Sequence, residues 1–442
     1  MQNINTINQT TQFSLKSIAG YSEEKAEAIK IINLFKNYES LKELGVSIPK
    51  GLILSGMPGV GKTLMAKVIA AEAGVPLYEY EAMEDETQEK GITNLKALYE
   101  TARNNAPSIV FIDELDELVC SYDYMSDYSR VMLKTLLTEI DGVKNSEGVL
   151  TIATTNDYAR IPIPLLRSGR MDKHIEFDLP DLDAREAILN LYASGNKLLR
   201  DVDFKEVAIK TNAFSCADLK TLINETLLQV VTSNKKVASN EDFQTVIPTI
   251  LFKGIRKKDH GTSLEQVCYH ELGHFICEYE LNKNVSEVSI ERIGKTEGHT
   301  RVYRPGESVR ILSFEQCKNQ AIVALGGYAA EICFLGQAYT GNSADFAMFE
   351  ETIYEMASSG MLGSKFIFSA KNRNRSIMRD QQSRNDSLED IRVKCFDEYL
   401  AIANKIVEDN KDLIQFLFEK LKKSETLDAK EMREYIAEYS NH

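Results

Sequence analysis

Two hydrophobic patterns divide the chain. In its first part, short runs of consecutive apolar and often β-branched residues end on turn-forming or charged positions, at 51–55 (GLILS), 109–113 (IVFID) and 149–153 (VLTIA). Runs of that length without polar alternation predict strands covered on both faces. Between them apolar residues recur at helical spacing, as at 92–104 and 128–139. Strand and helix in alternation predict an α/β core, a mostly parallel sheet with flanking helices. From about Leu182 to Val246 the pattern is helical without clear strands. A locally basic stretch follows at 253–261 (KGIRKKDHG), and helical periodicity then runs toward the end of the chain, as at Leu413, Phe416, Leu417 and Leu421. These changes divide the chain into a polar tail at 1–12, an α/β core at 13–181, a small helical unit at 182–250, a linker at 251–261 and a mainly α-helical domain at 262–442.

Composition narrows the function classes. At about 100–200 residues per domain, 442 residues suffice for two to four domains, and 43% hydrophobic with 27% charged residues is an ordinary folded balance. A net charge of −14 argues against a nucleic-acid partner, which would need a basic footprint. No stretch reaches the roughly 18–20 apolar residues of a spanning helix; the nearest, 321–330, holds two glycines and runs into Glu331. Residues 1–20 lack the charged and apolar regions of a secretory signal. Seven cysteines without a CxxC pair suit a reducing compartment, so the expectation is a cytoplasmic protein with no integral membrane segment.

The first chemical signal joins the first strand to the following helix. Gly56, Met57, Pro58, Gly59, Val60, Gly61, Lys62 and Thr63, running on into Leu64, match G-x-x-x-x-G-K-[ST]. Such a loop wraps its backbone N–H groups around the phosphates of ATP; Lys62 would reach the β- and γ-phosphates and Thr63 would hold Mg²⁺. The second strand ends in Asp113 and Glu114, a Mg²⁺-binding carboxylate and a general base for the attacking water. The third ends at Asn156, placed to orient that water or read the γ-phosphate. Arg167 and Arg170 then form either a surface ion pair or an arginine finger for a neighbouring subunit's phosphate.

The second signal is His270-Glu271-Leu272-Gly273-His274 within a helical stretch at 264–279. Histidines at i and i+4 share a helix face and can both bind one Zn²⁺, while Glu271 can take a proton from water. A catalytic zinc site takes three protein ligands; spacing alone does not identify the third.

Together with Ile18-Ala19-Gly20, the sequences FIDELD at 111–116, ATTN at 153–156 and LLRSGRMDKHIEFDLPD at 165–181 resemble an AAA+ ATPase module, and more narrowly the FtsH-type membrane proteases. The resemblance implies ATP contacts at Ala19 and Gly20, paired arginine fingers at Arg167 and Arg170, and a homo-oligomeric ring, usually a hexamer. Residues 212–219 (NAFSCADL) are similar to the family's lid motif, with Ala213 and Cys216 where the family has glycine. Residues 326–331 (GGYAAE) and 340–345 (TGNSAD) resemble the segments carrying the downstream ligand, which makes Asp345 the third metal residue. The family usually has Asn where this chain has Ala344. Glu331 reads either as a carboxylate behind the ligands or as a buried ion-pair member, and His299 as a cleft-lining or simple strand histidine.

Two departures stand out. Membrane-anchored members carry spanning helices ahead of the ATPase module, whereas this chain starts near the module, so a soluble variant is expected, with peripheral recruitment left open. The family's aromatic pore loop has no evident counterpart: residues 79–89 hold six acidic side chains and Met83 is the one sizeable apolar residue. The resemblance implies an ATP-dependent zinc endopeptidase acting on polypeptides, with one Zn²⁺ per subunit, ATP and Mg²⁺. The alternative is a remodelling ATPase whose proteolysis is weak or confined to loosely folded clients.

Overall fold

A computed structural model describes residues 13–46, 48–80, 88–119, 126–141, 148–257, 263–302, 311–363 and 380–440. The chain forms two compact units, 1–246 and 247–442.

The first unit is built on a five-stranded parallel sheet. Its strands are β1 (Gly51–Gly56), β2 (Leu77–Tyr80), β3 (Ser108–Ile112), β4 (Val149–Thr155) and β5 (Lys173–Phe177), in the order β2-β3-β4-β1-β5. β1, β3 and β4 are the three expected runs, and nearly every residue in them is buried. Alternation of side chains across the pleat divides β1 between two cores. Leu52 and Leu54 meet the helices Ser22–Lys36 and Lys62–Ala73 through Ile32, Met65 and Ile69. Ile53 meets Gln88–Asn104 and Asp127–Asp141 through Leu95, Tyr99 and Leu136. The two outer strands were not visible as apolar runs, because β2 carries Glu79 and β5 reads KHIEF with alternating exposure. Parallel register aligns Ser55 with Thr155 and Ile112 with Ala153. The chain therefore leaves β1, β3 and β4 at one edge of the sheet, and that edge gathers Gly56, Asp113 and Asn156.

Helices Leu182–Ala193, Phe204–Lys210 and Cys216–Thr232 follow without strands. The division between units falls inside the helix Asn240–Leu251.

In the second unit, helix Leu264–Asn282 is the central element, packed by Gly326–Leu335, Asp380–Asp409 and Lys411–Ser424 around Leu272, Phe275, Ile276, Tyr399 and Leu417. A small antiparallel sheet joins Ser286–Ser289 to His299–Val302 and Thr426–Leu427. Arg256–Lys257, inside the expected linker, pairs with Arg292–Ile293. Among the described residues no helix is long and apolar enough to cross a membrane.

Candidate active sites: a phosphate loop and a metal centre

The phosphate loop joins the tip of β1 to helix Lys62–Ala73. Gly59 turns with φ +82°, and a Cβ there would stand 2.8 Å from Ser215 Oγ, so this position requires glycine. Lys62 Nζ donates to Gly56 O at 2.6 Å, Met57 O at 3.0 Å and Asn156 Oδ1 at 2.9 Å. Burial lowers its pKa, against the pull of Asp113, Asp116 and Glu114. Thr63 Oγ1 lies 3.3 Å from Asp113 Oδ2, so the hydroxyl and carboxylate that could share a Mg²⁺ are already adjacent. Thr154 at the end of β4 orders the acidic pair: its hydroxyl donates to Asp113 and accepts from the Glu114 N–H at 2.9 Å. Repulsion from Glu117, then slight burial and the neighbouring Asp113 and Asp116, raise the Glu114 carboxyl, a shift toward stronger basicity.

The start of helix Cys216–Thr232 closes on the same loop. Ala217 N–H donates to Gly59 O at 3.0 Å and the Cys216 thiol to Val60 O at 3.4 Å. Tyr21, next to the half-buried Ala19 and Gly20, lies 3.6 Å from Cys216 Sγ through its hydroxyl, which donates to Asp178 O. Tyr21, the start of helix Cys216–Thr232 and the phosphate loop thus meet through direct contacts.

Helix Leu264–Asn282 places His270 and His274 one turn apart, with their Nε2 atoms 3.1 Å from each other. Asp345, in the first turn of helix Ser343–Ser358, completes the group: Oδ2 lies 3.2 Å from His270 Nε2 and Oδ1 3.5 Å from His274 Nε2. The other ring nitrogens face acceptors, His270 Nδ1 towards Glu331 Oε1 at 3.1 Å and His274 Nδ1 towards Val323 O at 2.8 Å. Those acceptors favour the tautomer with hydrogen on Nδ1 and aim both Nε2 lone pairs at Asp345. Two imidazole nitrogens and a carboxylate oxygen converging in this way fit a divalent cation such as zinc and leave a fourth tetrahedral position. The carboxylates draw positive charge to this point, a proton on His270 or a bound cation in its place. Burial opposes a charge on His270, yet Asp345 and Glu331 push its pKa up to about 10. The imidazoles hold Asp345 well below the usual carboxylate range despite its burial. Glu271 is 6% exposed, and its Oε2 lies 2.9 Å from Thr300 Oγ1.

Comparison with known proteins accounts for both centres. Residues 52–179 match the ATPase family associated with various cellular activities (AAA), 201–245 the AAA+ lid domain and 260–435 Peptidase family M41. The chain is 31% identical over 443 residues to the ATP-dependent zinc metalloprotease FtsH of Bacillus subtilis, covering 95% of this chain and 69% of that protein. The chain belongs to the FtsH family. FtsH of Leuconostoc mesenteroides is 32% identical over 438 residues, covering 94% of this chain and 62% of its own length. FtsH 2 of Phytoplasma mali is also 32% identical, with 96% and 63% covered. The chain thus spans between 62% and 69% of these relatives.

The backbone of Arg170 in this FtsH-family chain lies away from its own phosphate loop. The Arg170 carbonyl is 2.8 Å from where a Gly51 Cβ would stand, at the start of β1. The five residues from there to Gly56 span about 17 Å at the rise of a strand. Arg170 grips Asp141 with two bonds of 2.6 Å and reaches Pro164 O at 2.6 Å, whereas Arg167 is exposed. The pair is therefore divided: one guanidinium is bound within the chain and the other faces solvent.

His299 is buried against Phe252, with Nε2 3.5 Å from Glu287 Oε1. Glu331 resolves toward the metal centre and is fully buried behind His270. Gln266, which donates to Glu331 Oε1 at 2.9 Å, was not singled out from the sequence, although it lies four residues before His270 on the same helix face. The Val323 carbonyl behind His274 has no sequence signal at all. Of the pore-loop segment, residues 81–87, with Met83, lie outside the described residues.

Proposed function

We propose that this chain is an ATP-dependent zinc endopeptidase, working as a homo-oligomeric ring, a hexamer, that delivers polypeptides to the His270, His274 and Asp345 centre. The observation that carries this reading is the convergence of those three side chains with Glu271 in a chain that also holds a complete phosphate loop. A zinc ion bound by the three ligands would supply Lewis-acid polarisation of the scissile carbonyl and lower the pKa of water. Glu271, oriented by Thr300, takes a proton from the attacking water and passes it to the leaving amine. In the ATPase module, Lys62 binds the β- and γ-phosphates, Thr63 and Asp113 hold Mg²⁺, Glu114 takes the proton of the hydrolytic water and Asn156 orients that water. Arg167, exposed to solvent, serves the phosphate of a neighbouring subunit, and Arg170 buttresses the segment that presents it.

One observation favours a second reading, a remodelling ATPase with weak proteolysis. Tyr78 and Tyr80, the aromatics nearest the acidic segment, are 5% and 6% exposed and belong to the core. Neither offers a ring to grip a threaded chain.

The deciding experiment follows cleavage of an unfolded and a stably folded protein by the zinc-loaded chain, with and without ATP. The protease reading expects cleavage that Glu271→Gln abolishes. ATP turnover with no cleavage of either substrate would refute it. Cleavage of only the unfolded substrate, untouched by Glu114→Gln, favours the second reading.

A further inference from the structure

Behind the metal centre, Asn342 is 1% exposed and occupies the position just before helix Ser343–Ser358. An asparagine there ordinarily turns its side-chain oxygen toward the free N–H groups of the first turn. Asn342 makes no such cap, and its buried Oδ1 has no hydrogen-bond partner among the described residues. The amide nitrogen is fully used instead, donating to Glu331 Oε2 at 2.7 Å and to the Tyr339 carbonyl at 2.9 Å. Reversing the amide would set its oxygen against a carboxylate and a carbonyl, two acceptors, so only this orientation is favourable. A side chain that forgoes capping and leaves an acceptor buried is placed for what it donates.

What it donates to is the carboxylate that orients a metal ligand. Glu331 is 0% exposed, and its two oxygens are held on opposite sides. Gln266 and His270 Nδ1 occupy Oε1, while Asn342 and the Tyr339 N–H occupy Oε2. Without the Asn342 amide, Oε2 would keep a single backbone donor and the carboxylate could rotate. The Oε1 contact that fixes the His270 ring would loosen with it. The neighbouring Ala344 has no donor to take its place.

We propose that Asn342 is a positioning residue for metal binding. It acts through Glu331 to keep His270 Nε2 aimed at the point where His274 and Asp345 converge. The proposal rests on the metal-centre reading above and adds a residue two hydrogen bonds removed from the ligand His270.

The test titrates the full metal-free chain with cobalt(II) alone, reading its visible absorption, with zinc competition for affinity. Wild type should bind one ion, and His270→Ala should abolish binding; no binding by wild type overturns the metal-centre reading itself. Asn342→Ala and the near-isosteric Asn342→Leu, neither of which carries a donor, should each weaken cobalt affinity about 10–100-fold, the range for residues behind a ligand. Asn342→Ser keeps one hydroxyl donor and should lose less than either. Wild-type affinity in the alanine and leucine variants, with wild-type binding intact, overturns the proposal alone. So does a loss that follows metal-free melting temperature across the three variants instead of donor count.

Discussion

Gly327 lies against both metal-site imidazoles: a Cβ added there would stand 2.6 Å from His270 Cε1 and 2.7 Å from His274 Nε2. The helix Gly326–Leu335 can approach Leu264–Asn282 this closely only because the position carries no side chain. This yields a prediction with opposed signs. Gly327→Ala raises helix propensity by about 1 kcal/mol, so secondary structure should persist without metal. The new methyl must nevertheless displace one ring or the helix itself, and zinc affinity should fall at least about tenfold. Zinc competition titrations beside circular dichroism separate the two effects. Unchanged zinc affinity in the alanine variant would show that the close approach does not govern ligand placement.

The divided arginine pair predicts two distinct phenotypes. Arg167→Ala should abolish most ATP turnover while leaving stability within about 0.5 kcal/mol, as for an exposed surface residue. Arg170→Ala should also destabilise the fold, because it breaks the two-point bond to Asp141. Asp141 is 42% exposed in its side chain, so screening limits the loss to about 1 kcal/mol. The hydrogen bond from Arg170 is the main cause holding the Asp141 carboxyl below its usual value. A depressed folded-state pKa stabilises fully above the unfolded pKa, about 4, and the contribution disappears as pH falls through the lowered folded value. Urea melts should therefore distinguish Arg170→Ala from wild type at pH 7, with the difference shrinking as pH falls below about 4 and gone below the lowered folded value. A difference that persisted through that acid range would rule out the ion pair as its source.

How much of this was legible in the sequence depended on where the signal lay. β1, β3 and β4 are buried on both faces, so their composition alone marked them, and the phosphate loop, Asp113 and Asn156 followed as their tips. β2 and β5 lie at the sheet edges, β2 short and interrupted by Glu79 and β5 with exposed polar residues between its buried ones, which leaves too few apolar positions for a run. His270, Glu271 and His274 were legible because one helix holds them at fixed spacing. Asp345 comes from a separate helix 71 residues beyond His274, and only the resemblance pointed to it. The roles of Glu331, Asn342 and the Val323 carbonyl depend on how three helices pack, which local periodicity does not encode. The arginines show the same limit: motif position alone does not separate them, whereas the contacts of Arg170 with Asp141, on another helix, and with the Pro164 carbonyl do.

Ala213 adopts φ +65° in the segment leading into helix Cys216–Thr232, where the family carries glycine. The left-handed conformation costs a residue with a Cβ about 1–2 kcal/mol, offset in glycine by the greater freedom of its unfolded chain. Ala213→Gly should accordingly stabilise the first unit by about 0.5–1 kcal/mol, raising its melting temperature by roughly 1–4 °C for a unit of this size. Differential scanning calorimetry of the full chain reads this directly. A lowered melting temperature would mean that the Ala213 methyl makes a contact worth more than the strain.

Thr300 provides the last prediction, because its hydroxyl is within 2.9 Å of both Glu271 Oε2 and the Glu271 carbonyl. A single hydrogen can serve only one of these acceptors fully, so the hydroxyl couples strand His299–Val302 to the orientation of the carboxylate proposed as the base. Thr300→Val preserves shape and β-propensity but removes the donor. The lost bond to a charged acceptor is about 1.5–3 kcal/mol. Part of it is recovered by water entering beside the carboxylate, leaving about 1–2 kcal/mol on the barrier, a fall in peptidase turnover of roughly 5–30-fold. ATP turnover and zinc content should stay at wild-type levels, since Thr300 touches none of the residues assigned to either. Peptidase turnover equal to wild type in Thr300→Val would mean that Glu271 is held by its burial alone, and a parallel loss of zinc would place the effect on the ligands instead of the base.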